Sequence, residues 1–168
     1  MSDFKSRVWL NGFGNEPSKT ISRDQYSDYI CSGQTMKAGY HTAADAEVSQ
    51  EEINEDIPVY SIADGEVLEA QEISGYGGLI IIQYNIGGSD YTALYGHTNT
   101  ATYTIEAGST VAKGQQLALL GPQCSAENGN VRKHLHFGIH KGDAIDIKGY
   151  VTNTTALSNW LDPLQLYS

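Results

Sequence analysis

Five histidines and one nearby aspartate carry the chemistry available to this chain. The densest group lies in Val131–His140, V-R-K-H-L-H-F-G-I-H, where His134 and His136 alternate with Leu135, Phe137 and Ile139. Alternation of period 2 predicts a strand. On that strand His134, His136, Gly138 and His140 face one way, and the three apolar side chains face a core. Imidazoles at i and i+2 stand roughly 6.5–7 Å apart, close enough to serve one small site. Packing alone gives no reason for two adjacent imidazoles on a buried face, since each needs hydrogen-bond partners once out of water.

Two further groups could join that pair. His41 and Asp45 are four residues apart. A straight strand would separate them by about 13 Å, too far to share an ion, so a bend at the small residues Thr42-Ala43-Ala44 is required. His97 follows an expected strand at Tyr91–Tyr95. One imidazole, one carboxylate and one histidine of the 134/136 pair would give three N/O ligands at about 2.0–2.2 Å from zinc, leaving a position open for water, as catalytic rather than structural sites do. The remaining histidine of the pair and His97 would then be available for proton transfer or for holding an oxyanion. His140 is expected at the rim or on the surface. Asp64 is expected only to make its turn, and the tyrosines mostly to coat a sheet surface.

The frame for these residues reads as all-β. At 168 residues, with 18 Gly, 4 Pro and 11 Tyr, the chain suits one turn-rich, strand-rich domain. Strands are expected at Ile57–Ile62 and Glu66–Ala70, joined by a turn at Ala63-Asp64-Gly65, and at Leu79–Tyr84, whose unbroken apolar run marks a central strand. Further strands are expected at Tyr91–Tyr95, Thr102–Ile105 and Gln116–Leu120, with a short helix near Ala156–Trp160. The first 38 residues read as an irregular extension ahead of a core spanning 39–168, with a short strand or anchor at Val8-Trp9-Leu10 and a helical turn near Asp24–Ile30. This spacing indicates an antiparallel two-sheet sandwich or open barrel-like sheet.

Composition excludes several partners. A formal net charge of −10 disfavours nucleic acid and anionic membranes, and no apolar run is long enough to insert into a bilayer. Cys31 and Cys124 permit one disulfide, with two free thiols an equal reading. They lie ten residues before His41 and His134, so they could meet if those two arms run side by side.

The chain resembles the lysostaphin/LytM family of zinc endopeptidases, which cut peptide cross-links in bacterial cell walls. The resemblance rests on His41-x-x-x-Asp45, on His97 within Tyr95-Gly96-His97, and on His134-x-His136 within His134-Leu135-His136-Phe137. It rests also on Pro58–Val67, Tyr76-Gly77-Gly78 and Val111–Gln115 in the same order, covering roughly residues 39–141. It implies that His41, Asp45 and His136 bind Zn2+ and that His97 and His134 are non-ligand catalytic histidines. It implies activity on peptidoglycan peptides, a monomer, and an extracytoplasmic place of action (cell wall, periplasm or phage-delivered), with any leader absent from this sequence. Ala43 replaces a frequent glycine, Gly138 a frequent acidic residue, and the loop from Cys124 to Lys133 lacks the usual Thr-Gly-x-Ser-x-Gly run. Those departures bear on the substrate groove, not on the ligands.

Two other readings use the same residues. One is a two-His-one-carboxylate iron oxygenase on a jelly roll, in which Arg7, Arg23 or Arg132 would clamp a keto acid. The other is a non-catalytic family member that binds wall or activates another hydrolase.

Overall fold

A computed structural model describes residues 12–14, 31 and 39–167. The expected strand at 8–10 and helical turn at 24–30 lie outside the described residues.

The central strand is the apolar run predicted for it. β5 (Gly77–Ile86) buries both faces, with Ile80 and Ile82 in the main core and Leu79 and Ile81 in a smaller cluster on the opposite face. It hydrogen-bonds to β4 (Gly65–Ile73) on one side and β6 (Ser89–Thr98) on the other. Beyond β6 lies β9 (His134–Lys141), and beyond β4 lies the two-residue β7 (Thr110–Val111). The outer edge of β9 is shared in succession by β2 (Ala43–Glu47) and β11 (Trp160–Leu161).

Two small sheets complete the architecture. β3 (Pro58–Tyr60) pairs with β8 (Gln116–Leu119), and Val59, Leu117 and Ala118 close the main core against Val67, Ile80, Ile82 and Phe137. β1 (Tyr40–His41) pairs with β10 (Tyr150–Val151). Every strand pair among the described residues is antiparallel, as expected for a two-layer sandwich.

Four local expectations are corrected. Residues 57–62 and 66–70 do not form a hairpin, because β3 leaves for β8. Asp64 then does more than turn the chain, accepting a hydrogen bond from the Lys113 backbone N–H at 2.7 Å and so pinning the β7–β8 turn. Thr102–Ile105 is not a strand. A 3-10 turn at Thr100–Thr102 is capped by Asn99, and the hydroxyls of Thr102 and Thr104 bond to the β8 backbone where a ladder would run. The helix α1 starts earlier than expected, at Thr154–Leu157, because the Asn153 side chain caps it. Trp160 is thereby freed to pair with β9. Two of the tyrosines, Tyr84 and Tyr95, lie in the core, and the Tyr84 hydroxyl bonds to those of Tyr95 and Ser61, each at 2.7 Å.

Candidate metal centre

Register explains how the expected residues meet. Asp45 on β2 is the direct partner of His136 on β9, and Glu47 is the partner of His134. Directly opposed residues of an antiparallel pair share a face, so both imidazoles and both carboxylates stand on the side opposite Leu135 and Phe137. His41 arrives differently. The chain bends at Thr42 between β1 and β2, which shortens the separation that a straight strand would impose. His41 Nε2 consequently lies 3.4 Å from Asp45 Oδ1.

The three donor atoms form a small triangle. His136 Nδ1 is 3.1 Å from Asp45 Oδ1 and 3.3 Å from His41 Nε2. A tetrahedral zinc ion at 2.0–2.1 Å from each donor spaces the donors about 3.3–3.4 Å apart, so these edges match in size and in atom type. His41, Asp45 and His136 form a group that could hold a metal ion, and all three are buried. Burial lowers the pKa of His41 to about 4, leaving the ring neutral, and its Nδ1–H donates to the Gly12 carbonyl. The Nε2 lone pair therefore faces the other two donors. Burial would raise the pKa of Asp45, but His41, His134, His136 and Arg132 outweigh it and hold the carboxyl well below its usual range. An ionised carboxylate and a neutral imidazole suit a divalent cation. His136 Nε2 is buried without a hydrogen-bond partner among the described residues, so its ring is oriented by Asp45 and by packing on Tyr76.

His97 reaches the site through an irregularity. Strict alternation would turn it toward the core with Tyr95. Gly78 pairs with Thr98 and Leu79 with Gly96, so His97 is the extra residue of a β-bulge, with φ of +65°. The bulge aims the imidazole at His134, with ring centroids 4.4 Å apart. The left-handed backbone costs a non-glycine residue about 1–2 kcal/mol. Its Nδ1–H is held by the carbonyls of Tyr76 at 2.9 Å and Asn128 at 2.8 Å. The Nδ1–H of His134 is held likewise by the Arg132 carbonyl at 2.8 Å. Each ring thus keeps Nε2 as its free basic atom, and His134 Nε2 stands 3.6 Å from Asp45 Oδ2. Burial lowers the pKa of His97 to about 4 and that of His134 well below the ordinary value.

Several further residues join this centre in roles that the sequence does not mark. Arg132 binds Asp45 and Glu47 with its guanidinium, so the residue available to an oxygenase as a keto-acid clamp is spent on two carboxylates. Arg7 and Arg23 lie outside the described residues. Burial raises the Glu47 carboxyl to about 7, with Arg132 opposing it. Tyr76 packs beside His97 and His136, and Gly96 makes room for it. A Cβ on Gly96 would stand 2.7 Å from the Tyr76 ring. Residues 142–151 lie against the His41 side: Tyr76 Oη donates to the Ile147 carbonyl, Thr42 Oγ1 to that of Lys148, and Tyr150 stacks on His41. The His140 ring stands edge-on to Trp160.

Cys31 and Cys124 form a disulfide, with Cα atoms 5.3 Å apart. The bond fastens the loop that contributes the Asn128 and Arg132 carbonyls.

Fold and site together define a peptidase-family β domain with a buried group of side chains that could hold a metal ion. Residues 33–147 match peptidase family M23, and the chain belongs to that family. The lipoprotein NlpD of Yersinia enterocolitica is 34% identical over 96 residues, 56% of this chain and 89% of NlpD. The murein hydrolase activator EnvC of Escherichia coli (strain K12) is 33% identical over 94 residues, 55% of this chain but 20% of EnvC. Among solved structures, lysostaphin aligns with a TM-score of 0.58 at 20% identity, over 92% of this chain and 51% of that one. A zinc-containing peptidase from Vibrio cholerae aligns at 0.53 and 23% identity, over 80% and 33%. At such identities the structural likeness speaks for the fold alone.

Proposed function

We propose that this chain is a zinc-dependent endopeptidase that hydrolyses peptide cross-links of bacterial peptidoglycan. The observation that carries the reading is the convergence of His41 Nε2, Asp45 Oδ1 and His136 Nδ1 within 3.1–3.4 Å beside two neutral imidazoles. His41, Asp45 and His136 would hold the ion. When bound, zinc lowers the pKa of water toward about 7 and polarises a carbonyl. One of His97 and His134 would take one proton of the attacking water at Nε2 and return it to the amine as the C–N bond breaks, while the other would hold the water or the oxyanion. Their Nδ1–H bonds to backbone carbonyls fix the tautomer that this requires. The disulfide supports an oxidising, extracytoplasmic setting, and the acidic surface supports a peptide substrate over nucleic acid.

Kinship to a murein hydrolase activator supports a second reading, in which the domain stimulates another enzyme. The intact donor trio weighs toward catalysis. Incubating the protein with purified walls of contrasting cross-bridge chemistry, and weighing the released peptides by mass spectrometry, tests the choice. Release that chelator abolishes and zinc restores is expected. No release, together with faster digestion by an added hydrolase, would establish the activator reading instead.

A further inference from the structure

Arg132 touches two members of this centre in different ways. Its carbonyl accepts the Nδ1–H of His134, and its Nη2 donates to Asp45 Oδ2 at 2.9 Å. We infer that Arg132 is a positioning residue of the metal centre, holding Asp45 to ligation through Oδ1 alone; this rests on the zinc reading above.

The argument begins with the two carboxylate oxygens. Oδ1 faces His41 and His136, while Oδ2 is turned to the guanidinium. A carboxylate with both oxygens free can rotate or bind an ion through both. The planar, permanently charged fork of arginine removes that freedom. A lone cation beside a metal site would repel the ion, and here Glu47 answers it. Arg132 Nε bonds to both oxygens of Glu47 at 2.9 and 3.0 Å, and Nη2 to Oε1 at 2.7 Å. All three side chains are buried. The three bonds to Glu47 hold the plane of the guanidinium, and the guanidinium in turn orients the ligand. Register delivers this arrangement, because Asp45 and Glu47 alternate onto one face of β2 and Arg132 lies two residues before the start of β9.

Removing Arg132 alone would take three hydrogen bonds from the buried Glu47 carboxyl, so the test uses Glu47→Met/Arg132→Met, since apolar replacement of a buried ion pair is often tolerated. Zinc affinity is read by competition with a chromophoric chelator, and cobalt(II) absorption reports coordination number. The double variant is expected to bind zinc about 10–100-fold more weakly and to lose the intense bands of four-coordinate cobalt. Arg132→Lys, which keeps the charge but not the fork, is expected to lose affinity as well. Glu47→Gln, which keeps the Arg132–Asp45 bond, is expected to retain the wild-type cobalt spectrum. Wild-type affinity and spectrum in both the double variant and Arg132→Lys would overturn the inference while leaving the zinc reading intact. A wild-type protein that takes up neither metal would overturn both.

Discussion

Asp45 and His136 are direct partners across the β2–β9 ladder, and their Oδ1 and Nδ1 atoms stand 3.1 Å apart. Two of the three atoms that could hold a metal ion are thereby brought together by backbone hydrogen bonding, with no loop to position them. Sites carried on paired strands are held more closely than sites on loops. His41, the third donor, stands just outside this ladder on the short β1–β10 pair.

The first prediction follows from that triangle. Asp45→Ala and His136→Ala should each leave two protein ligands and abolish stoichiometric zinc. Metal content of purified protein checks it, with one ion per chain expected for wild type. His140→Ala should retain that ion, since His140 packs on Trp160 away from the three donors.

The disulfide offers the second. Cys31 and Cys124 are separated by 93 residues, and closing a loop of that length stabilises by about 4–5 kcal/mol in the chain-entropy view. Reductant, or Cys124→Ser, should shift the denaturant midpoint downward by a corresponding amount. It should also slow turnover, since the loop that follows Cys124 supplies the carbonyls that hold His97 and His134. Equal midpoints with and without reductant would refute this.

What was legible in the sequence was whatever period 2 decides. The faces of β9, and hence the company of His134 and His136, follow from alternation alone. The central position of β5 follows from its unbroken apolar run. Pairing between distant segments does not: nothing local tells β3 to seek β8 rather than fold back on β4. His97 is the sharpest case, because alternation would point it inward and only an unpredicted bulge turns it to the site. Glu47 carries no signal in the sequence and Arg132 only that of a possible keto-acid clamp, since their meaning lies in an ion pair spanning 85 residues.

Gly149 supplies the third prediction. A Cβ there would stand 3.0 Å from Tyr76 Oη and 3.4 Å from His136 Cε1. Gly149→Val should therefore press residues 142–151 into the site and disturb the 2.9 Å bond from Tyr76 Oη to the Ile147 carbonyl. Turnover on wall peptides is expected to fall well before thermal stability does, with zinc content unchanged. A large loss of stability at normal turnover per folded molecule would show that this contact is architectural only.

The last prediction separates proton transfer from metal binding. His134→Ala and His97→Asn should keep zinc, because neither Nε2 belongs to the donor triangle. Asparagine is chosen at 97 because it tolerates the left-handed backbone at φ of +65° and can still donate to a carbonyl. Its melting temperature should therefore stay near the wild-type value. Each variant should nonetheless be slower by about 10²–10⁴, the usual contribution of a positioned proton-transfer group. The two rings stand 4.4 Å apart and serve one transition state in this reading, so the double variant should fall by less than the product of the singles. Metal content, melting temperature and peptide release on the same preparations decide it. Full turnover in both single variants would remove these histidines from the mechanism, and loss of zinc in His134→Ala would move that residue into the ligand set.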